Sequence, residues 1–212
     1  MTNSKLRPAV FLDRDGTINE QMGYINHLSR FMLLPGAAQA VRRLNEEGIP
    51  AVVVTNQSGL ARGYFPPSLL EAVHAEMERL LAAEGARLDG IYVCPHHPEA
   101  KVAEHRMACR CRKPLPGLLE QAAAELHLDL ARSFMVGDRW SDLECGIQAG
   151  AAPVLVLTGY GRGELEFVGP QKKNQPVLIA ENLSEAAERI IQLLRHERSG
   201  QRRPCLLQRI KN

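Results

Sequence analysis

Asp13 and Asp15 are separated only by Arg14 and follow the apolar run Val10-Phe11-Leu12. Two carboxylates two positions apart at a strand end can point to the same side, with the intervening residue turned away. Gly16 lets the chain bend sharply just beyond them. Carboxylates this close repel, so the pair calls for a cation or a shared proton; the alternative is an acidic turn capping a helix. After a second apolar run, Thr55-Asn56-Gln57-Ser58-Gly59 gathers hydroxyls and amides. That is a cradle for an anion such as phosphate, or else a polar turn. After a later run, Gly137-Asp138 is followed by Asp142; Asp138 reads as another acid of the same site or as a helix N-cap. Arg112-Lys113-Pro114 adds fixed positive charge able to neutralise a transferring phosphoryl group.

The cysteines form a second constellation. Cys94, His96, Cys109 and Cys111 make a C-x-H…C-x-C pattern. Three thiolates and one imidazole suit a closed tetrahedral zinc site, structural because no position is left open for water. The loop they span has little apolar content, and a metal crosslink can hold it in shape. A redox role for the thiols is the alternative, against which the interleaved His96 argues. His97 and His105 are expected to be exposed loop histidines outside the site. Cys145 is expected to be buried packing.

These residues need strands to end at them. Ala9–Leu12, Ile49–Thr55, Gly90–Val93, Ser133–Val136, Val154–Leu157 and Val177–Ala180 read as short strands. Helices are expected from the turn at Pro35-Gly36 to about Glu47, through Leu69–Leu81, over Leu118–Leu126 and Ser141–Ala149, and through Leu183–Leu194. The alternation predicts a Rossmann-like α/β fold, an open parallel sheet with helices on both faces. Ligands of such sheets bind beyond the carboxyl ends of the strands, where the polar clusters lie. Trp140 could face either the core or the site mouth.

The chain has 212 residues, 45% hydrophobic and 24% charged, with net charge +2. That excludes a disordered protein, and its length fits one domain, residues 1–195. The tail from Arg195 holds six basic residues against Glu197 alone, so the rest of the chain is acidic. A general nucleic-acid binder would carry positive charge on its body instead. Residues 196–212 are expected to be a disordered basic extension. No apolar run approaches the ~20 residues that cross a bilayer, and Met1–Pro8 lacks a signal peptide's apolar stretch. A cytoplasmic monomer is expected, without membrane or nucleic-acid partners.

The order Asp-x-Asp-Gly-Thr, Thr-Asn, Lys, Gly-Asp-x-x-x-Asp resembles the haloacid dehalogenase superfamily of phosphotransferases. Phe-Leu-Asp-Arg-Asp-Gly-Thr-Ile-Asn, Thr-Asn-Gln-Ser-Gly-Leu-Ala-Arg-Gly, Cys-Pro-His-His-Pro and Cys-Arg-Cys-Arg-Lys-Pro narrow the resemblance to its heptose 1,7-bisphosphate phosphatases. Histidinol-phosphate phosphatases are near relatives with the same zinc loop, residues 94–113. The resemblance does not reach the basic tail, and Arg139 stands where the family usually has lysine.

The resemblance implies an aspartyl-phosphate mechanism. Asp13 would be the nucleophile and Asp15 the acid and then the base. Asp13, the Asp15 carbonyl and Asp138 would hold Mg²⁺, with Asp142 behind them. Thr55 and Lys113 would orient the phosphoryl oxygens, and Asn56, Gln57, Ser58, Arg112 and Arg139 would hold a small sugar bisphosphate. The stretches between the motifs leave no room for a large cap domain, so short loops must discriminate substrates. Gln21, Gly23 and Tyr24 are the expected flap, unless Tyr24 merely packs on the body. A nucleic-acid 3′-phosphatase and a non-catalytic phosphosugar-binding protein are the remaining alternatives.

Overall fold

A computed structural model describes residues 6–198. Six strands, β1 (Val10–Leu12), β2 (Ala51–Asn56), β3 (Gly90–Cys94), β4 (Phe134–Gly137), β5 (Ala152–Val156) and β6 (Leu178–Ala180), form one sheet in the order β3-β2-β1-β4-β5-β6. Every pairing is parallel. The chain builds outward from β1 to β3, then returns to lay β4 on the other side of β1. This reversal opens a crevice at the carboxyl ends of β1 and β4, where doubly wound sheets take ligands.

The helices are α1 (Ala37–Glu46), α2 (Ser58–Ala61), α3 (Pro67–Ala83), α4 (Gly117–Leu126), α5 (Trp140–Ala149), α6 (Gly161–Gly163) and α7 (Leu183–Arg198). Alternate strand residues face opposite layers. Val10, Leu12, Val53 and Val136 pack with Val41 and Leu44 of α1, Met77 and Leu81 of α3 and Ile190 of α7. Phe11, Val52, Val54 and Met135 meet Leu118, Leu119 and Ala122 of α4 and Cys145 of α5. Both faces are thus covered, and β1 is wholly buried. Burying each such apolar side chain is worth about 1.5–3 kcal/mol. Trp140 is buried with Leu143 and Leu155, which settles its direction towards the core.

Several boundaries differ from expectation. β5 begins at Ala152, with Pro153 as its second residue; a proline near a strand start hides that start from pattern reading. The turns α2, α6, Glu164–Val168 and Gly169–Gln171 are too short to show any periodicity. The last helix runs on to Arg198, and Arg195 pairs with Glu47, so the start of the expected tail belongs to the body. The remainder of the tail, with Cys205, lies outside the described residues. Between β1 and β2 lie only a loop, a 3-10 turn at Leu28–Arg30 and α1. No described helix is long and apolar enough to cross a membrane.

Candidate active site and metal centres

Asp13 leaves β1 and its N–H still donates to Val136 of β4 (2.9 Å), so the ladder fixes its backbone. Its Oδ1 accepts from Lys113 Nζ at 2.6 Å. The same ammonium reaches Asp142 Oδ1 at 2.6 Å and donates to the Val54 carbonyl at 3.0 Å. Asn56 clamps the Lys113 backbone on both sides, Nδ2 to its carbonyl and Oδ1 from its N–H, each at 3.1 Å. Burial pushes Asp13 up to about 6 against the pull of Lys113, with Asp142 and Asp15 adding repulsion. For Lys113 burial works the other way, and the two carboxylates outweigh it and raise its affinity for the proton.

Asp138 follows β4 and is fully buried. Burial, then the charges of Asp13 and Asp142, pushes it up to about 8. Its Oδ2 accepts from the Tyr160 N–H at 2.8 Å, whereas its Oδ1 is buried with no partner among the described residues. Asp13, Asp138 and Asp142 bring one carboxylate oxygen each within 4.8 Å of one another. Three buried hard oxygens, one of them orphaned, fit a hard divalent cation such as Mg²⁺. The close fit of Asp138 depends on two glycines in the left-handed region, Gly16 (φ +86°) and Gly159 (φ +54°), where a Cβ at either would overlap Asp138 Oδ2. Thr158 Oγ1 closes the same corner by donating to the Gly16 carbonyl at 2.6 Å. Asp142 Oδ2 also accepts from the Arg139 N–H (3.0 Å), capping α5; the capping assignment therefore belongs to Asp142 and not to Asp138.

Asp15 is held by three neighbours. Arg14 donates to both its oxygens (2.9 and 2.8 Å), Asn19 Nδ2 to Oδ1 (3.0 Å) and Gln57 Nε2 to Oδ2 (2.8 Å). Burial opposes ionisation, but Arg14 and these hydrogen bonds together keep Asp15 below the usual carboxylate range. Arg14 was expected to turn away from the site. It does leave the pocket, but its buried guanidinium folds back onto Asp15. Gln57 was expected on substrate; it is buried instead, with its amide given to Asp15 and to Thr55 Oγ1 (2.9 Å).

The cleft, about 390 Å³, is lined by Asp13, Asp15, Thr55, Asn56, Ser58, Lys113 and Asp142 at its base, and by Gln21, Gly23, Tyr24, Arg62, Arg112, Arg139 and Tyr160 around it. Gln21 Oε1 accepts from the Gly23 N–H (2.9 Å), and Arg30 ties down the Met22 and Tyr24 carbonyls. Tyr24 both faces the mouth and sets its ring edge-on to Tyr64 at 4.8 Å. Arg139 lies over the Tyr160 ring at 4.0 Å. Among the described residues, Arg62, Arg112 and Arg139 make no ion pair with a carboxylate. Three guanidiniums around one opening favour an anionic ligand. Arg62 lies within the Thr-Asn-Gln-Ser-Gly-Leu-Ala-Arg-Gly stretch, but spacing alone gave it no role; Tyr160 and Thr158 reach the site from a turn with no motif of its own.

Cys94 ends β3, and the loop returns Cys109 and Cys111 to it. The Sγ–Sγ separations are 3.5, 3.2 and 2.9 Å, and His96 Nδ1 lies 3.3 Å from Cys111 Sγ. All four ligand atoms fall within 4.8 Å. Burial, then the hydrogen bond shared with Cys111, raises Cys94 far above an ordinary thiol, a state that a bound soft cation relieves. The donor set fits zinc. His97 and His105 are half-buried rather than exposed: His97 Nε2 lies 3.2 Å from Arg62, and His105 packs 6.2 Å from the His96 ring. Arg112 donates to the His96 carbonyl (3.2 Å) and so carries the loop's geometry into the cleft.

Residues 20–146 match the family described as haloacid dehalogenase-like hydrolase. The chain is 42% identical over 188 residues to D-glycero-beta-D-manno-heptose-1,7-bisphosphate 7-phosphatase of Escherichia coli K12, spanning 88% of this chain and 95% of the relative. It is 46% identical over 186 residues to D-glycero-D-manno-heptose-1,7-bisphosphate 7-phosphatase of Thermosynechococcus vestitus, spanning 86% and 94%. Its fold matches the crystal structure of D,D-heptose 1,7-bisphosphate phosphatase from B. bronchiseptica complexed with magnesium and phosphate. The TM-score is 0.78 at 39% identity, covering 87% of this chain and 98% of the other. The sheet order, the acids at its switch point and these matches along the chain agree: the protein belongs to the haloacid dehalogenase-like hydrolase family.

Proposed function

We propose that the protein is a Mg²⁺-dependent phosphatase that removes the C7 phosphate of D-glycero-β-D-manno-heptose 1,7-bisphosphate, a step in making nucleotide-activated heptose for a surface glycan. The observation that carries this reading is the placement of Asp13 against Lys113 beside Asp15 and Asp142 at the base of a cleft rimmed by guanidiniums, with Asp138 buried against Asp13 and Asp142. The names of the relatives supply the sugar and its anomer.

Asp13 attacks phosphorus through its free oxygen, Oδ1 being held by Lys113. The bond from phosphorus to the C7 oxygen breaks, and Asp15 passes its proton to that oxygen. In the free protein Asp15 is a carboxylate. An arriving phosphate dianion raises its proton affinity, so it is charged with a proton when substrate is present. Water then attacks the aspartyl-phosphate, Asp15 takes the proton, and inorganic phosphate leaves. Bound by the Asp13 carboxylate, the Asp15 carbonyl and Asp138, with Asp142 behind, Mg²⁺ supplies the charge neutralisation that lets a dianion approach a carboxylate.

Thr55, Ser58 and Lys113 face the transferring phosphoryl group. Asn56 acts by fixing Lys113, and Gln57 by orienting Asp15. Arg112 and Arg139, with Arg62, face the distal phosphate, and Gln21, Gly23 and Tyr24 border the sugar. The cleft is complete within one chain, which supports a monomer. The zinc thiolates require a reducing compartment, which supports the cytoplasm.

The test is phosphate release with Mg²⁺ from both anomers of heptose 1,7-bisphosphate, from histidinol phosphate and from a 3′-phosphorylated DNA end, with Asp13→Asn as blank. Preference for the β anomer is expected. A histidinol phosphate preference removes the substrate assignment, and no Asp13-dependent release from any of them removes the enzyme reading.

A further inference from the structure

We propose that His74 is a positioning residue for Asp15: its imidazole accepts from the Arg14 guanidinium and so holds the Arg14 fork on the Asp15 carboxylate. The inference rests on the reading of Asp15 as the proton donor to the leaving oxygen.

Arg14 is one of the largest fully buried side chains in the protein. One of its terminal nitrogens serves both oxygens of Asp15, and the other lies 3.3 Å from His74 Nε2. Among the described residues its Nε has no partner, and His74 is the second of two side chains that fix the guanidinium plane. Arginine can only donate, so Nε2 must accept and the ring must be neutral with its proton on Nδ1. Burial, then the Arg14 charge, pushes His74 down to about 4, which keeps it in that form at neutral pH.

The mount is rigid. His74 sits on α3 beside Val73, one turn before Met77 and two before Leu81, and those three neighbours are buried in the larger core layer. A helix anchored by those side chains holds an imidazole more firmly than a loop would. Without the acceptor, one edge of a buried guanidinium loses its hydrogen bond, and the fork is free to tilt off Asp15. A small misplacement of a proton donor is costly to the step that it serves.

The expected signature is a dependence on the leaving group. A sugar alkoxide needs Asp15's proton as it departs, whereas p-nitrophenolate leaves readily without one. Single-turnover rates of leaving-group release from heptose 1,7-bisphosphate and from p-nitrophenyl phosphate give a ratio for each protein. His74→Phe keeps the ring volume and removes the acceptor, so the ratio is expected to fall about tenfold, with KM little changed; that is about 1.4 kcal/mol. His74→Gln, whose Oε1 reaches the place of Nε2, is expected to restore most of it. If His74→Phe does not fold, His74→Leu and Arg14→Lys ask the same question, since each leaves the fork unsupported or absent. Equal slowing of both substrates, or no change in the ratio, overturns the positioning role. Asp15→Asn is the control: if it leaves the ratio unchanged, the proton-donor reading fails and this inference with it. If it lowers the ratio while His74→Phe does not, only the inference fails.

Discussion

Lys113 Nζ sits 2.6 Å from Asp13 Oδ1 although 100 positions separate the two residues. The contact is made by the fold alone. β1 delivers the carboxylate, while Asn56 at the end of β2 grips the lysine backbone after the Cys94–Cys111 loop has returned to the sheet. Two buried carboxylates, Asp13 and Asp142, then share one buried ammonium, with the buried Asp138 carboxylate close to both.

Removing that ammonium therefore has two consequences. Lys113→Met is expected to lower kcat by about 10²–10³-fold through lost charge stabilisation, and to cost about 3–5 kcal/mol of stability by leaving buried carboxylates uncompensated. Because a bound divalent cation then takes over the counter-charge that the ammonium supplied to Asp13 and Asp142, added Mg²⁺ should raise the melting temperature of the variant more than that of the parent. Melting curves with chelator and with Mg²⁺ check this, and an equal Mg²⁺ response in both proteins would count against the shared-charge account.

Asp138 makes the second prediction. Gly159 lies at φ +54° with its Cα against Gly16, and a Cβ there would overlap both Asp138 Oδ2 and the Gly16 backbone. Gly159→Ala should displace the carboxylate while leaving every charged group present. Losing such support typically costs 10–100-fold in metal affinity, so the Mg²⁺ concentration for half-maximal phosphate release should rise by about that factor. A variant with unchanged Mg²⁺ dependence would show that the glycine contact does not set the carboxylate.

The strand-end chemistry was legible because a parallel sheet leaves its polar residues where the apolar runs stop: Asp13, Thr55 and Asp138 could be placed with no tertiary information. Their supports could not. Arg14 alternates away from the pocket as a strand residue should, yet a long side chain can fold back, and no pattern records that. His74 reaches Arg14 from a helix whose periodicity reports only its core face, Val73, Met77 and Leu81. Gln57 looked like a ligand residue because its neighbours are, but its side chain points back along the strand end to Thr55 and Asp15. Spacing alone picked out Cys94, His96, Cys109 and Cys111, which the fold brings within 4.8 Å of one another, whereas the half-burial of His97 and His105 depends on packing that spacing does not encode.

With zinc bound, the loop over residues 94–113 would link stability to substrate. Arg112 follows Cys111 directly and donates to the His96 carbonyl, so its place in the cleft depends on the four ligands converging. Cys109→Ser is expected to lose bound zinc, to open residues 97–108 to limited proteolysis, and to raise KM for the bisphosphate more than it lowers kcat. Metal analysis, digestion and kinetics on one preparation check all three. Retained zinc would remove Cys109 from the ligand set, and an unchanged KM would disconnect the loop from substrate.

His74 also leaves a mark on stability. Its folded value lies near 4 against an ordinary 6.5, lowered by burial and by Arg14. Well above pH 6.5 the ring is neutral in both folded and unfolded chains and exerts no pull on the equilibrium. As pH falls below 6.5 the unfolded ring takes a proton that the folded ring refuses, so stability is lost across the window from 6.5 to about 4 and levels off beneath it. His74→Phe lacks that proton, so the stability of the parent relative to this variant should shrink as pH falls through the window. Urea unfolding of both proteins at pH 7.5, 6.0 and 5.0, with Mg²⁺ absent throughout, measures the difference directly. A gap that stays constant over that range would mean that the imidazole protonates in place and that Arg14 tolerates a charged neighbour.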